Sequence, residues 1–231
     1  MVVLMLALIT TSASAEKIVK EERQLSAFTE ISLRLHANVH LVQGKTQSVV
    51  VKAQESALKD IVTEVKGRTL VIRQDIKSKW SRSKSLGNID VSITIPDIQS
   101  LSVSGSGNIL AEDKIKSVII NLTISGSGNI RLARLEADKV KAAISGSGDI
   151  VLSSNKTADN FEAMISGSGD IKAAQFPSRN TTIKIAGSGS VSTHTIDNLN
   201  VRIAGSGNVY YKGGPAIDSK VMGSGRIKEM Q

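Results

Sequence analysis

The chain has 231 residues, 40% of them hydrophobic, and a formal net charge of +8, which suits one well-buried domain and favours anionic partners. Only 3% of the residues are aromatic, so we expect an aliphatic core. The sequence contains no cysteine, which excludes disulfide bonds, thiolate metal sites and a cysteine nucleophile.

The first fifteen residues have the pattern of a signal peptide. An apolar run at residues 2–9 is too short to span a bilayer, and the small residues Ala13, Ser14 and Ala15 follow it. Cleavage after Ala15 would leave Glu16 as the mature N-terminus. No positive charge precedes the apolar run, so a buried N-terminal strand and a start codon further upstream both stay open. We expect export to the periplasm, the cell surface or the medium, and no transmembrane span.

Residues 16–88 are predicted to form a β-rich cap with one short helix. Apolar residues alternate through residues 28–41, which is the spacing of half-buried strands. The spacing then becomes helical over residues 56–65, with Ser56 as the N-cap and Gly67 as the terminator. Another strand is predicted at residues 70–72.

The most polar segment, residues 75–85, supplies the candidate ligand-binding residues. Basic side chains surround the single tryptophan in the set Trp80, Lys77, Lys79, Arg82 and Lys84. An indole ring can stack on a sugar or a base while nearby cations meet phosphate or carboxylate groups. A solvated loop whose tryptophan folds back onto the body is the alternative interpretation.

Residues 89–231 repeat a Gly-Ser-Gly motif with a period of about 20 residues, which predicts stacked coils. The first glycines of the seven copies are Gly105, Gly126, Gly146, Gly167, Gly187, Gly205 and Gly223. We interpret the motif as a corner that needs a positive φ and no Cβ atom. A polar residue follows each motif, and we expect these residues to tolerate left-handed or bridge conformations and to form a ladder. Ile or Val comes next in every copy, and we expect it to point inward, as at Ile130.

The repeats do not predict a cofactor or a metal site. A phosphate-binding loop would need a third glycine or a Lys-Ser/Thr pair after the motif, and no copy has one. Asp149 and Asp170 occupy equivalent positions in adjacent coils, and such a pair repels unless a proton or a cation such as calcium lies between them. The glycine spacing of calcium-binding β-rolls is absent, so the cation stays an open alternative.

Catalysis is also not predicted. Parallel β-helices that cleave polysaccharides need acidic and basic side chains that converge on one face. Here the histidines are divided between opposite ends of the predicted stack, as His36 and His40 at one end and His194 at the other. The acidic residues alternate with lysines near predicted corners, which is typical of a solvated surface: Glu112, Asp113, Glu136, Asp138, Asp159 and Glu162.

The recurring Ser-Gly-Ser-Gly-[Asn/Asp]-Ile after an alternating strand resembles the putative auto-transporter adhesin family, head GIN domain. The triplets Gly107-Asn108-Ile109 and Gly128-Asn129-Ile130 match it in letter and spacing. The resemblance covers nearly all of the mature chain and implies a right-handed parallel β-helix and export to the cell envelope. The expected fold is therefore an all-β solenoid of about 20 residues per coil, with an N-terminal cap.

We expect a non-catalytic solenoid that presents a surface to an anionic glycan, an envelope polymer or a protein. A structural envelope component that associates with itself is the main alternative. A polysaccharide-cleaving enzyme is a third.

Overall fold

The computed structural model describes residues 17–75 and 86–230. The predicted signal peptide therefore lies outside the described residues. The elements, in chain order, are β1 (Ile18–Glu22), β2 (Glu30–Arg34), β3 (Asn38–Gln43), β4 (Ser48–Gln54), α1 (Glu55–Leu58), β5 (Ile61–Lys66), β6 (Thr69–Gln74), β7 (Asp90–Ile95), β8 (Ser100–Gly105), β9 (Asn108–Gly126), β10 (Asn129–Gly146), β11 (Ile150–Ser153), β12 (Ala158–Gly167), β13 (Ile171–Gly187), β14 (Val191–Gly205), β15 (Asn208–Lys212), β16 (Ala216–Gly223) and β17 (Arg226–Glu229).

The strands form a parallel β-solenoid of about 6 turns with roughly 20 residues per turn, as the sequence predicts. Each coil pairs in parallel with the coil before it: β8 with β9, β9 with β10, β10 with β11 and β12, β12 with β13, and β13 with β14. The first glycines of successive repeats are paired in register, from Gly105 with Gly126 to Gly205 with Gly223. The corners therefore lie directly over one another.

The two glycines of each corner are required for different reasons. The first glycine of all seven copies has a φ between 113° and 141°, a region that side chains with a Cβ atom rarely adopt. The second glycine has no positive φ, but a Cβ atom on Gly128 would overlap the carbonyl oxygen of Gly107 in the preceding coil. The polar residues after the corners do not adopt left-handed backbone, because no described residue other than glycine has a positive φ.

Backbone hydrogen bonds join each corner to the next. The carbonyl oxygen of Gly105 accepts N–H groups from both Ser127 and Gly128, each at 2.9 Å. The same pair of contacts recurs up to Gly205, which accepts from Ser224 at 3.0 Å and from Gly225 at 3.2 Å. A corner is therefore held by the corner before it in the chain.

The residue that follows each polar position fills the interior, as predicted. Six members of this column are fully buried: Ile109, Ile130, Ile150, Ile171, Val191 and Val209. The seventh, Ile227, lies in the last coil and is only partly buried. The core is not purely aliphatic, because Phe161 and Phe176 are buried in an edge-to-face contact with their ring centroids 5.6 Å apart.

Antiparallel strands complete the N-terminal part. Strand β4 pairs with β1 on one side and β7 on the other, while β2 and β3 stack in parallel on β8 and β9. The strand prediction for residues 28–41 and that for residues 70–72 both match described strands.

The helix predicted over residues 56–65 is wrong in most of its length. The helix α1 covers only Glu55–Leu58, its N-cap is Gln54, and no side chain caps it. The rest of the segment belongs to β5, which pairs antiparallel with β6. Gly67, with a φ of 62°, forms the turn of this hairpin instead of ending a helix.

Candidate functional site

The outward side chains of the segment before each corner form regular columns. Side chains alternate along a strand, so in-register stacking places every second residue of this segment on the outer face. The first column contains Thr123, Ala143, Met164, Lys184, Arg202 and Lys220, and the second contains Ser125, Ser145, Ser166, Ala186, Ala204 and Met222.

These two columns line an apolar depression of about 440 Å³, which we call the outer groove. Ile144, Ile165 and Ile185 lie between the two columns and border the groove, but they point inward and are only 2–3% exposed. Among the described residues, the lining contains no aromatic side chain. Because it crosses six strands, it runs for about 24 Å at the usual strand spacing.

Cations line the C-terminal half of the outer groove. Lys184 Nζ lies 3.7 Å from Glu162, which also contacts Lys141 at 3.8 Å. Arg202 Nη2 lies 2.7 Å from Asp218 Oδ2. Lys220 forms no ion pair within the part of the chain that the structure describes. Three cations of the lining, Lys184, Arg202 and Lys220, therefore lie beside two carboxylates.

The hydrogen bond from Arg202 holds the pKa of the Asp218 carboxyl below its usual value, with a further contribution from Asn200. The carboxylate is therefore charged at neutral pH. Its negative charge partly offsets that of Arg202, and the groove keeps an excess of positive charge.

The polar residues after the corners form the predicted ladder. Asn108 donates to Asn38 at 2.9 Å, and Asn129 donates to Asn108 at 2.8 Å. From there the side-chain oxygens accept backbone N–H groups: Asp149 N donates to Asn129 at 3.1 Å, and Asp170 N donates to Asp149 at 3.1 Å. The ladder thus links consecutive coils along a second line beside the corners.

The Asp149 and Asp170 pair has charge compensation from the protein itself. Lys172 Nζ donates to Asp149 Oδ2, and this hydrogen bond raises the pKa of Lys172. Asp170 Oδ1 accepts the N–H of Ser190 at 2.8 Å. Among residues 17–75 and 86–230, no group of three or more His, Cys, Asp or Glu side chains could hold a metal ion. From the sequence, a cation could balance the charges of Asp149 and Asp170; in the structure, Lys172 provides a positive charge next to Asp149.

Within the described residues, five of the six acidic residues considered for catalysis pair with basic side chains on neighbouring coils, and Asp138 does not. Glu136 contacts Lys114 at 3.1 Å and Lys156 at 3.3 Å, and these hydrogen bonds lower its pKa. Asp159 pairs with Arg179 at 3.8 Å. Such exposed pairs are typical of a solvated surface.

The candidate ligand-binding residues from the sequence, Trp80, Lys77, Lys79, Arg82 and Lys84, lie outside the described residues. Their assignment stays a prediction. The outer groove was not predicted, although its signal is in the repeat: Ser or Ala precedes the first glycine in all copies except the last. Stacking these small residues produces the depression.

The described residues thus form a β-solenoid with a long, shallow apolar groove on one outer face. The family described as "Putative auto-transporter adhesin, head GIN domain" matches residues 27–215. The chain belongs to this family.

Crystal structures of similar proteins share the fold. A putative adhesin from Bacteroides fragilis has a TM-score of 0.84 at 21% identity, covering 94% of this chain and 98% of its own. A putative lipid binding protein from Parabacteroides distasonis has a TM-score of 0.78 at 26% identity, covering 93% and 97%. A putative adhesin from Parabacteroides merdae has a TM-score of 0.73 at 22% identity, covering 93% and 97%.

Among curated proteins, no relative matches the chain. Within the described residues, no helix is long and apolar enough to cross a membrane.

Proposed function

We propose that the protein is an exported, non-catalytic binding protein that attaches to an anionic, lipid-linked molecule of the cell envelope through the outer groove. Membership of an adhesin family supports a binding role and export. The proposal rests mainly on one observation, an apolar groove with a positive excess along its C-terminal half.

The chemistry of the groove favours an amphiphile. An apolar chain would cover Met164 and the small outward side chains such as Ala143 and Ala186, while an acidic group would meet Lys184 or Arg202. The similar Parabacteroides distasonis structure is described as a putative lipid binding protein, which agrees with this choice. A soluble polysaccharide fits less well, because the groove has no aromatic ring on which sugars could stack.

Vesicle binding tests the proposal. The purified mature chain should bind vesicles of phosphatidylglycerol and phosphatidylcholine, and binding should weaken as salt is added because the surface cations are screened. Vesicles of phosphatidylcholine alone should bind weakly. Oleate below its micelle concentration distinguishes recognition of a single chain from recognition of a surface. Absence of binding to both probes would overturn the proposal.

Matched variants locate the site. Met164→Asp and the pair Lys141→Gln with Lys184→Gln should each reduce binding about tenfold, which corresponds to about 1.4 kcal/mol. The control pair Lys45→Gln with Lys59→Gln removes the same charge from exposed positions in the N-terminal part, away from the groove. Equal losses in the two lysine pairs would show nonspecific charge attraction and would contradict the groove assignment.

The basic segment around Trp80 is a second proposed contact, for an acidic glycan. Its support is the sequence pattern of four cations around one indole ring. Trp80→Ala should reduce binding to an acidic polysaccharide without changing vesicle binding. An unchanged polysaccharide affinity would remove this segment from the proposal.

A further inference from the structure

Strand β16 has an open edge. Within residues 17–75 and 86–230, it pairs with β14 along one edge, and no strand pairs with the other. Its register partners Leu199 and Ile203 are 1% exposed, whereas Ile217 and Val221 at the matching inward positions are 43% and 39% exposed. The hydrophobic core is therefore uncovered at this end of the solenoid, beside a row of unpaired backbone groups.

The sequence of β16 is complementary to itself about Ser219. When two copies of this strand run antiparallel with the two Ser219 residues opposite each other, Ile217 faces Val221 of the other copy. Asp218 then faces Lys220. Directly opposite residues of an antiparallel pair point to the same side of the sheet. The apolar pair thus closes the core, and the charged pair lies on the outer face.

The charges of β16 are arranged for such a contact. Asp218 receives hydrogen bonds from Asn200 at 3.0 Å and from Arg202 at 2.7 Å, both at Oδ2. Its Oδ1 atom makes no hydrogen bond to the described residues. Lys220 likewise has no ion-pair partner there. Each copy therefore offers one free carboxylate oxygen and one free ammonium group, at positions that match across a two-fold axis.

We propose that two copies of the protein associate through this end, with β16 antiparallel to β16 of the second copy and a two-fold axis at Ser219. The contact is isologous, so it closes as a dimer and does not grow into a fibre. The sheets of the two solenoids become continuous across the junction. This dimer goes beyond the proposed binding function and does not depend on it.

Disulfide cross-linking tests the position of the two-fold axis. Because the sequence contains no native cysteine, any disulfide must form between the introduced residues. Opposite residues of an antiparallel pair have Cα atoms about 4.5–5.5 Å apart, within disulfide range. Ser219→Cys should therefore give a disulfide-linked dimer under mild oxidation. Ser125→Cys, at an exposed outward position away from β16, should stay monomeric under the same conditions. Failure of Ser219→Cys to cross-link would overturn the proposal.

Charge reversal tests the pairing without relying on loss of function. Lys220→Asp places two acidic groups opposite each other, and Asp218→Lys places two basic groups opposite each other. Each variant alone should dimerise at least about tenfold more weakly. An equimolar mixture should recover a heterodimer, because every acidic group then faces a lysine. Heterodimer recovery also shows that both variants are folded.

Light scattering of the unmodified chain and of each variant gives the readout. A concentration-independent monomer for the unmodified chain would overturn the proposal, and so would a dimer that persists in Lys220→Asp. Lys139→Asp, the same charge change at an exposed position on β10, four coils before β16, should leave the dimer intact.

Discussion

Ile130 is packed between the equivalent isoleucines of the two adjacent coils, Ile109 and Ile150, and is fully buried. The substitution Ile130→Asp puts a carboxylate into this interior with no cation within the column. We expect a loss of more than about 3 kcal/mol in the free energy of unfolding, measured by urea denaturation. Thr123→Asp, at an exposed outward position, is the control. An unchanged curve for Ile130→Asp would refute the inward assignment.

The second position of a corner requires glycine because there is no room for a Cβ atom, and not because of a positive φ. In Gly128→Ala, the new methyl group would overlap the Gly107 carbonyl oxygen and crowd Val103. We expect a loss of about 1–3 kcal/mol from the resulting backbone shift. Gly214→Ala is the matched control, because nothing lies within 4 Å of its Cβ position. Equal melting temperatures for the two variants would show that the corner can expand without cost.

His194 makes stability sensitive to acid. Desolvation, and then the charge of Lys212, lower the pKa of this side chain from its ordinary value of 6.5. The unfolded state consequently binds more protons as the pH falls below about 6.5, and stability decreases in that direction until the folded-state pKa is passed. The melting temperature of His194→Gln should decrease less than that of the unmodified chain between about pH 7 and pH 5. Equal acid sensitivity in His194→Gln and in the unmodified chain would contradict the assignment.

At the scale of single elements, the hairpin of β5 and β6 depends on Gly67. Its φ of 62° lies in the left-handed region, and no atom lies within 4 Å of its Cβ position. Gly67→Ala should therefore cost about 1–2 kcal/mol through backbone strain alone. Gly67→Asn should cost less, because asparagine tolerates this conformation. Chemical denaturation measures both, and an alanine variant as stable as the unmodified chain would argue against the turn.

The segment of this hairpin was predicted as a helix, and the local sequence pattern explains why. The positions of Leu58, Ile61, Val62 and Val65 fit a helical stripe, but the same segment is rich in β-branched side chains, which favour strands. The pairing partner β6 decides between the two patterns, and local spacing carries no information about it. By contrast, the strands after residue 89 were predictable because seven copies of one motif fix both the alternation and the period.

The outer groove could be predicted only in part. Alternation identifies Met164 and Lys184 as outward-facing, and the repeat places them in one column. That the small residues beside them, such as Ser145 and Ala186, leave a depression on this face depends on the spacing of packed coils. The depth of the groove therefore cannot be predicted from the sequence alone.

At the scale of the whole molecule, coils should be removable as units. Deletion of residues 147–167 joins Gly146 to Ser168 and preserves one complete Gly-Ser-Gly corner, so β10 would stack directly on β13. We expect a folded protein with a lower melting temperature, because one interface between coils is lost. Deletion of residues 147–156 removes half a coil, misaligns every later strand and should prevent folding. Circular dichroism and thermal unfolding distinguish the two; similar behaviour would refute the equivalence of the coils.

The direction of the corner hydrogen bonds bears on how the protein is made. The first-glycine carbonyls of six corners, Gly105 to Gly205, each receive two N–H donors from the coil that follows. An earlier coil therefore already contains the acceptor for a later one. Contacts between neighbouring coils span only about 20 residues of sequence. During synthesis, each new coil can therefore pack on the preceding coil as soon as it leaves the ribosome. The coils are then expected to fold in order from the N-terminus to the C-terminus.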